Sequence, residues 1–86
     1  MISAYLLARV KPNKDREVLQ KLRMLRPVRE AATLYGEYDI IAKLQVETLE
    51  DLDIFIFDTV RTIAGIDATT TLITTEIPEA RPETRK

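Results

Sequence analysis

Residues 2–10 alternate: Ile2, Ala4, Leu6, Ala8 and Val10 fall on one side of an extended chain and Tyr5, Leu7 and Arg9 on the other. Both sides are partly apolar. Lys11-Pro12-Asn13 stops it, since proline donates nothing to a ladder, and Asn13 is placed to cap the following segment. From Lys14 to about Leu25 the period changes to that of a helix, with Val18, Leu19, Leu22 and Leu25 on one stripe and charged residues between them. Pro27 ends that helix. A second apolar and β-branched run from Val28 to Tyr35 and a third from Asp39 to Val46 flank Gly36, the pattern of a tight antiparallel hairpin.

Thr48 opens the next helix: its hydroxyl is placed to accept first-turn amides, while Glu50 and Asp51 stand where the helix dipole favours negative charge. Leu49, Leu52, Phe55, Ile56, Val60 and Ile63 form its core stripe, and Gly65 stands where a left-handed cap is wanted. Ile54 and Phe57 fall off the stripe, either widening the buried face or marking a contact with another subunit. The last strand is expected from Asp67 to about Ile77, rich in threonine, and the charged, proline-containing stretch 78–86 is expected to fray.

An internal repeat orders these elements. Leu22 to Val28 followed by Ala31 to Leu34 matches Val60 to Ile66 followed by Thr69 to Leu72, each residue 38 positions after its counterpart; the same spacing lays Ala4-Tyr-Leu6 over Ala42-Lys-Leu44. Two β-α-β halves joined by a hairpin give βαββαβ. With right-handed crossovers this is an α+β, ferredoxin-like fold, a four-stranded antiparallel sheet with both helices on one face. The register follows from the hairpin. A loop of Gly36 to Tyr38 puts Leu34 and Ile40 on the core side with Val28, Ala32, Ala42 and Leu44, and sends Tyr5, Leu7, Thr33, Tyr35, Ile41, Thr71 and Ile73 to the open face. That set is too apolar for a face that meets only water, so dimerisation through the open sheet face is expected, with Tyr5, Leu7, Tyr35, Ile41 and Ile73 in the interface.

Composition narrows the function. The 86 residues form one domain over 1–77 with a modest core, which makes help from association natural. Thirteen basic and fourteen acidic residues are spread along the chain, leaving no cationic stripe for a phosphate backbone. The absence of Cys and His removes disulfides, thiolate nucleophiles, the usual zinc sites and the commonest general base. No metal or other cofactor is expected. With no apolar run long enough to span a bilayer and no signal-like N-terminus, a cytoplasmic protein without a membrane partner is expected.

Four stretches together resemble the effector-binding (RAM) domain of the Lrp/AsnC transcription regulators, in its stand-alone form without the helix-turn-helix: Ala-Tyr-Leu-Leu-Ala-Arg-Val at 4–10, Tyr35-Gly36-Glu37-Tyr38-Asp39, Leu-Glu-Asp-Leu-Asp-Ile-Phe-Ile at 49–56, and Ile-Ala-Gly-Ile-Asp-Ala-Thr-Thr-Thr-Leu at 63–72. The resemblance covers nearly all of residues 2–77. It implies dimers formed through the sheets, rings of dimers, and an amino acid or similar effector held between dimers. Carried over by position, the effector site would use Gly36, Tyr38, Asp39, Thr69, Thr70 and Thr71, with Asp39 toward an amino group and threonine hydroxyls and backbone amides toward a carboxylate. Because the first strand begins at Ile2, direct nucleic-acid binding is not expected; a modulating role, alone or in hetero-oligomers with full-length Lrp/AsnC regulators, is.

Other classes share the fold. An amino-acid-binding ACT domain would carry a glycine in its first strand-helix loop, where this chain has Val10-Lys-Pro-Asn13. A small dimeric αβ-barrel enzyme without histidine has only Asp39, Tyr5, Tyr35 and Tyr38 to work with, and an enzyme is not expected. An RNA-recognition sheet needs paired aromatics and basic residues on its central strands, which Tyr5 and Ile41 do not supply, and a copper carrier needs cysteine.

Overall fold

A computed structural model of the chain describes residues 1–74. Strand β1 (Ile2–Val10) leads into helix α1 (Asp15–Arg23), then β2 (Val28–Thr33), β3 (Ile40–Val46), α2 (Leu49–Ile54) and β4 (Ile66–Ile73). The strands form one antiparallel sheet in the order β2-β3-β1-β4, the ferredoxin-like βαββαβ arrangement expected from the repeat. The end of β4 expected to reach Ile77 and the tail at 78–86 lie outside the described residues.

The alternation of β1 is realised in full: Ala4, Leu6 and Ala8 are completely buried and join Ile40, Ala42 and Leu44 of β3 beneath the helices. Val18 and Leu22 of α1, Leu52 of α2, and Phe55, Ile56 and Val60 beyond it close the core from the other side. Tyr5, Leu7 and Ile41 point to the uncovered face, half-buried by their neighbours. Thr48 caps α2 as expected, its hydroxyl accepting from the Asp51 N–H at 3.1 Å. Asn13 does not cap α1. It turns the chain in the left-handed region at φ 68°, which asparagine tolerates, and Lys14 occupies the cap position without a side-chain bond.

The helix expected to run unbroken to Ile63 is regular only to Ile54. It widens into a π turn over Phe55–Thr59 and tightens into a 3-10 turn over Val60–Thr62. Leu49, expected on the core stripe, is exposed; Ile54 and Phe57, off that stripe, are exposed as well and do not widen the buried face. Gly65 follows at φ 102°, and a Cβ there would stand 3.1 Å from Val18 Cγ2 and 3.2 Å from Lys14 Cβ. It serves two needs at once: a left-handed backbone and the close approach of α1.

Strand register departs from expectation in both edge strands. Thr33 pairs with Ile40 and Ala31 with Ala42, and the Leu34 N–H donates to the Asp39 carbonyl, so the loop is Tyr35 to Tyr38 rather than Gly36 to Tyr38. Ala31 and Thr33 therefore take the helix side, and Ala32 and Leu34 the open side. In β4, Leu6 faces Thr71 and Ala4 faces Ile73, which puts Thr71 and Ile73 on the helix side; Thr70 and Leu72 stand on the open face opposite Leu7 and Tyr5. The cause is a bulge in each edge strand, between Val28 and Glu30 in β2 and opposite Arg9/Val10 in β4. One extra residue reverses every side chain beyond it. The extra residues, Arg29 and Asp67, stand 38 positions apart, so the bulge itself is repeated. In the first strands of the two halves the structural spacing is shorter: Val10 faces Ile66 as Leu44 faces Val28, which matches Val10 with Leu44, 34 positions later, rather than Ala4 with Ala42.

Candidate functional site

Asp39 ends the β3 ladder with its side chain. The main chain of Val10 points toward β3, but β3 begins only at Ile40, and the Asp39 carboxylate fills the gap: Oδ2 accepts from the Val10 N–H at 2.9 Å. Its own N–H donates to the Ala8 carbonyl at 2.9 Å. Oδ1 takes no hydrogen bond among the described residues and remains a negative acceptor.

Tyr38, one residue earlier, lies across β1. Its hydroxyl is 2.9 Å from Thr70 Oγ1 on β4, and the Arg9 guanidinium stands 5.4 Å from its ring centre. Arg9 also donates through Nε to the Glu37 carbonyl at 3.1 Å and lies 3.8 Å from the Glu37 carboxylate. The hairpin tip is thereby fastened to the open sheet face by one hydroxyl pair and one arginine. Gly36, at φ 122° with open space around it, is needed for its backbone alone.

The six expected effector residues thus divide into groups. Tyr38 and Thr70 meet on the open face, and Asp39 stands beside them at the end of β1. Thr69 and Thr71 face the helix side, opposite Ala8 and Leu6. Of the expected interface residues, Tyr5, Leu7 and Ile41 share the open face. Tyr35 does not: it sits in the turn beyond the end of β2, fully exposed. Ile73 does not either, and Leu72, 54% exposed, takes its place. The parity of the β4 bulge accounts for the exchange of Leu72 for Ile73.

A second feature was not singled out by the sequence. A cleft of about 430 Å³ opens beside the start of β4, lined by Arg61, Ile66, Asp67, Ala68 and Thr69. Asp67 is paired there with Lys11 at 3.2 Å, and Arg61 is stacked on the Phe57 ring, its guanidinium 5.1 Å from the ring centre. The sequence signal was present in the repeat, which aligns Arg61 with Arg23 and Phe57 with Leu19, each 38 positions apart.

The four-stranded ferredoxin-like sheet thus has one bare, partly apolar face, with polar groups gathered at a hairpin and a strand edge. The sequence profile of the Lrp/AsnC ligand binding domain matches residues 3–84, and the chain belongs to that family. An HTH-type transcriptional regulator of Pyrococcus furiosus, itself uncharacterised, is 37% identical over 76 residues, which are 88% of this chain and 51% of that protein. The regulator FL11 of the same organism is 34% identical over 84 residues, covering 90% of this chain and 55% of the regulator. The chain therefore spans about half the length of the curated relatives it matches. Among solved structures, FFRP-DM1 is 41% identical with a TM-score of 0.85, and the match covers 87% of this chain and all of that one. A transcriptional regulator of Neisseria meningitidis, solved as a complex with L-Met, shares the fold at a TM-score of 0.80 and 16% identity, over 94% of this chain and 54% of that one.

Proposed function

We propose that this domain binds a free amino acid and converts its presence into a change of assembly that acts on transcription, without catalysing a reaction. The observation that carries the reading is the membership in the Lrp/AsnC ligand binding domain family over residues 3–84, together with an open sheet face bearing Tyr5, Leu7, Ile41 and Leu72. Two such faces packed on each other form a closed twofold dimer, the commonest soluble symmetry. The effector lies between subunits, where the hairpin residues Gly36, Tyr38 and Asp39 and the β4 threonines 69–71 come from separate surfaces. Asp39 Oδ1 is the acceptor for the ammonium group. The relatives are named transcriptional regulators, and the complex of the Neisseria regulator with L-Met supports an amino acid as the ligand class. Partnership with full-length Lrp/AsnC regulators and a cytoplasmic location accord with that role; no helix among the described residues is long and apolar enough to cross a membrane.

The test is a thermal-shift and calorimetric screen of the twenty amino acids. One or a few are expected to raise the melting temperature and give saturable heats, because a ligand that binds only the folded state stabilises it. A chain that no amino acid stabilises contradicts the reading.

A further inference from the structure

The two halves of the repeat treat their free sheet edges differently, and each serves as a control for the other. β2 and β4 are the outer strands. In antiparallel pairing, alternate residues direct their main-chain groups to the neighbour and the rest direct theirs outward. The Leu34 N–H bonds to Asp39 and the Thr74 N–H to Ser3, so Ala31 in β2 and Thr69 in β4 are among the outward residues. These two are repeat equivalents, 38 positions apart. At β2 the outward carbonyl is covered: Arg23 donates to the Ala31 oxygen through Nε at 3.3 Å and through its terminal nitrogen at 2.9 Å.

At β4 the equivalent arginine does not do this. Arg61 has a phenylalanine, Phe57, four residues before it where Arg23 has Leu19, and its guanidinium stands 5.1 Å from the centre of that ring. The guanidinium is held on the ring and takes neither a carboxylate nor a carbonyl among the described residues. Asp67, the other charge in the cleft, is already matched by Lys11. The edge of β4 at Thr69 is thus left with an outward N–H and C=O beside a cation in a cleft of about 430 Å³, within the size range of small-ligand sites.

Resting on the reading that the ligand is an amino acid held between subunits with its ammonium group on Asp39, we propose that this cleft holds its carboxylate: Arg61 is the carboxylate clamp, and the outward N–H of Thr69 stands beside it as a second donor. A guanidinium presents a planar fork that matches a carboxylate with two parallel bonds, and the Phe57 ring beside it favours the cation at this position. The carboxylate supplies the anion that this edge lacks. Selection then rests on the α-amino-acid backbone, while the side chain projects away from the edge.

The experiment is an NMR titration of the ¹⁵N-labelled full chain with free amino acids, their decarboxylated amines and an extended tetrapeptide, repeated on Arg61→Gln and Arg61→Lys. The amino acid that binds is expected to shift the Thr69 amide and Arg61 Nε signals. Arg61→Gln is expected to weaken it on the order of tenfold or more, and Arg61→Lys less, because a charge without the fork remains. The amine is expected to bind weakly, and equally, to the parent chain and Arg61→Gln. Arg61 is an exposed side chain, and an unchanged melting temperature of the variants separates loss of binding from loss of fold. An amino acid that binds Arg61→Gln as tightly as the parent overturns the clamp and leaves the proposed function standing. A chain that binds no amino acid overturns both. A shift of Thr69 by the tetrapeptide alone makes the edge a strand-addition site and overturns the proposal.

Discussion

Asp39 shows how one side chain completes a backbone ladder. Its Oδ2 takes the N–H that Val10 turns toward a strand that has not yet begun, and replacing it by alanine leaves that half-buried donor without a partner. Asp39→Ala is expected to cost about 1–3 kcal/mol of stability, read as a lower denaturation midpoint with an unchanged slope. The two glycines separate two costs. Gly36→Ala meets open space, so only its positive φ is penalised, by about 1 kcal/mol; Gly65→Ala adds close contacts with Val18 and Lys14 and is expected to lose clearly more in the same measurement. A Gly65 variant as stable as the Gly36 one contradicts the packing role. The kinds of residue at the hairpin were legible in the sequence. That Asp39 would close a ladder was not, since it depends on β3 starting one residue late.

The element scale is where sequence reading succeeded and failed side by side. β1 and the apolar stripe of α1 are legible because their periods run uninterrupted through Ala4, Leu6 and Ala8 and through Val18 and Leu22. β2 and β4 were placed in sequence correctly and turned over, because a bulge adds one residue without needing glycine; Arg29 and Asp67 look like ordinary strand residues. The cost fell on the site assignments: Ile73 and Thr71 exchanged faces with Leu72 and Thr70, and Tyr35 left the sheet. The π turn of the second helix was equally hidden, since Phe55, Ile56 and Val60 fit a regular stripe well enough. The cap of α2 was readable at once. Thr48→Ala is expected to lose about 1 kcal/mol by removing the acceptor for the Asp51 N–H, and Thr48→Asp to restore it, both checked by thermal and denaturant unfolding.

At the scale of the whole molecule, one layer of helices covers one face of the sheet and leaves the other to Tyr5, Leu7, Ile41, Thr70 and Leu72, crossed by the Tyr38 ring. A sheet with one bare, partly apolar face favours a second layer, which under the proposed function is a second copy of the chain. Leu7→Asp places a charge at the centre of that face, on the middle of β1, and is expected to shift the protein toward monomer while the fold persists, since Leu7 does not join the buried core. The hairpin that carries Asp39 is tied to the same face through Tyr38 and Thr70. Under the proposed function, this contact is where occupation of the effector site would bear on packing of the sheets. The most direct measurement is sedimentation velocity of the full chain with and without the amino acids that stabilise it. The account predicts a dimer or larger species whose sedimentation coefficient changes when the effector is added; a monomer that stays a monomer under every amino acid contradicts it.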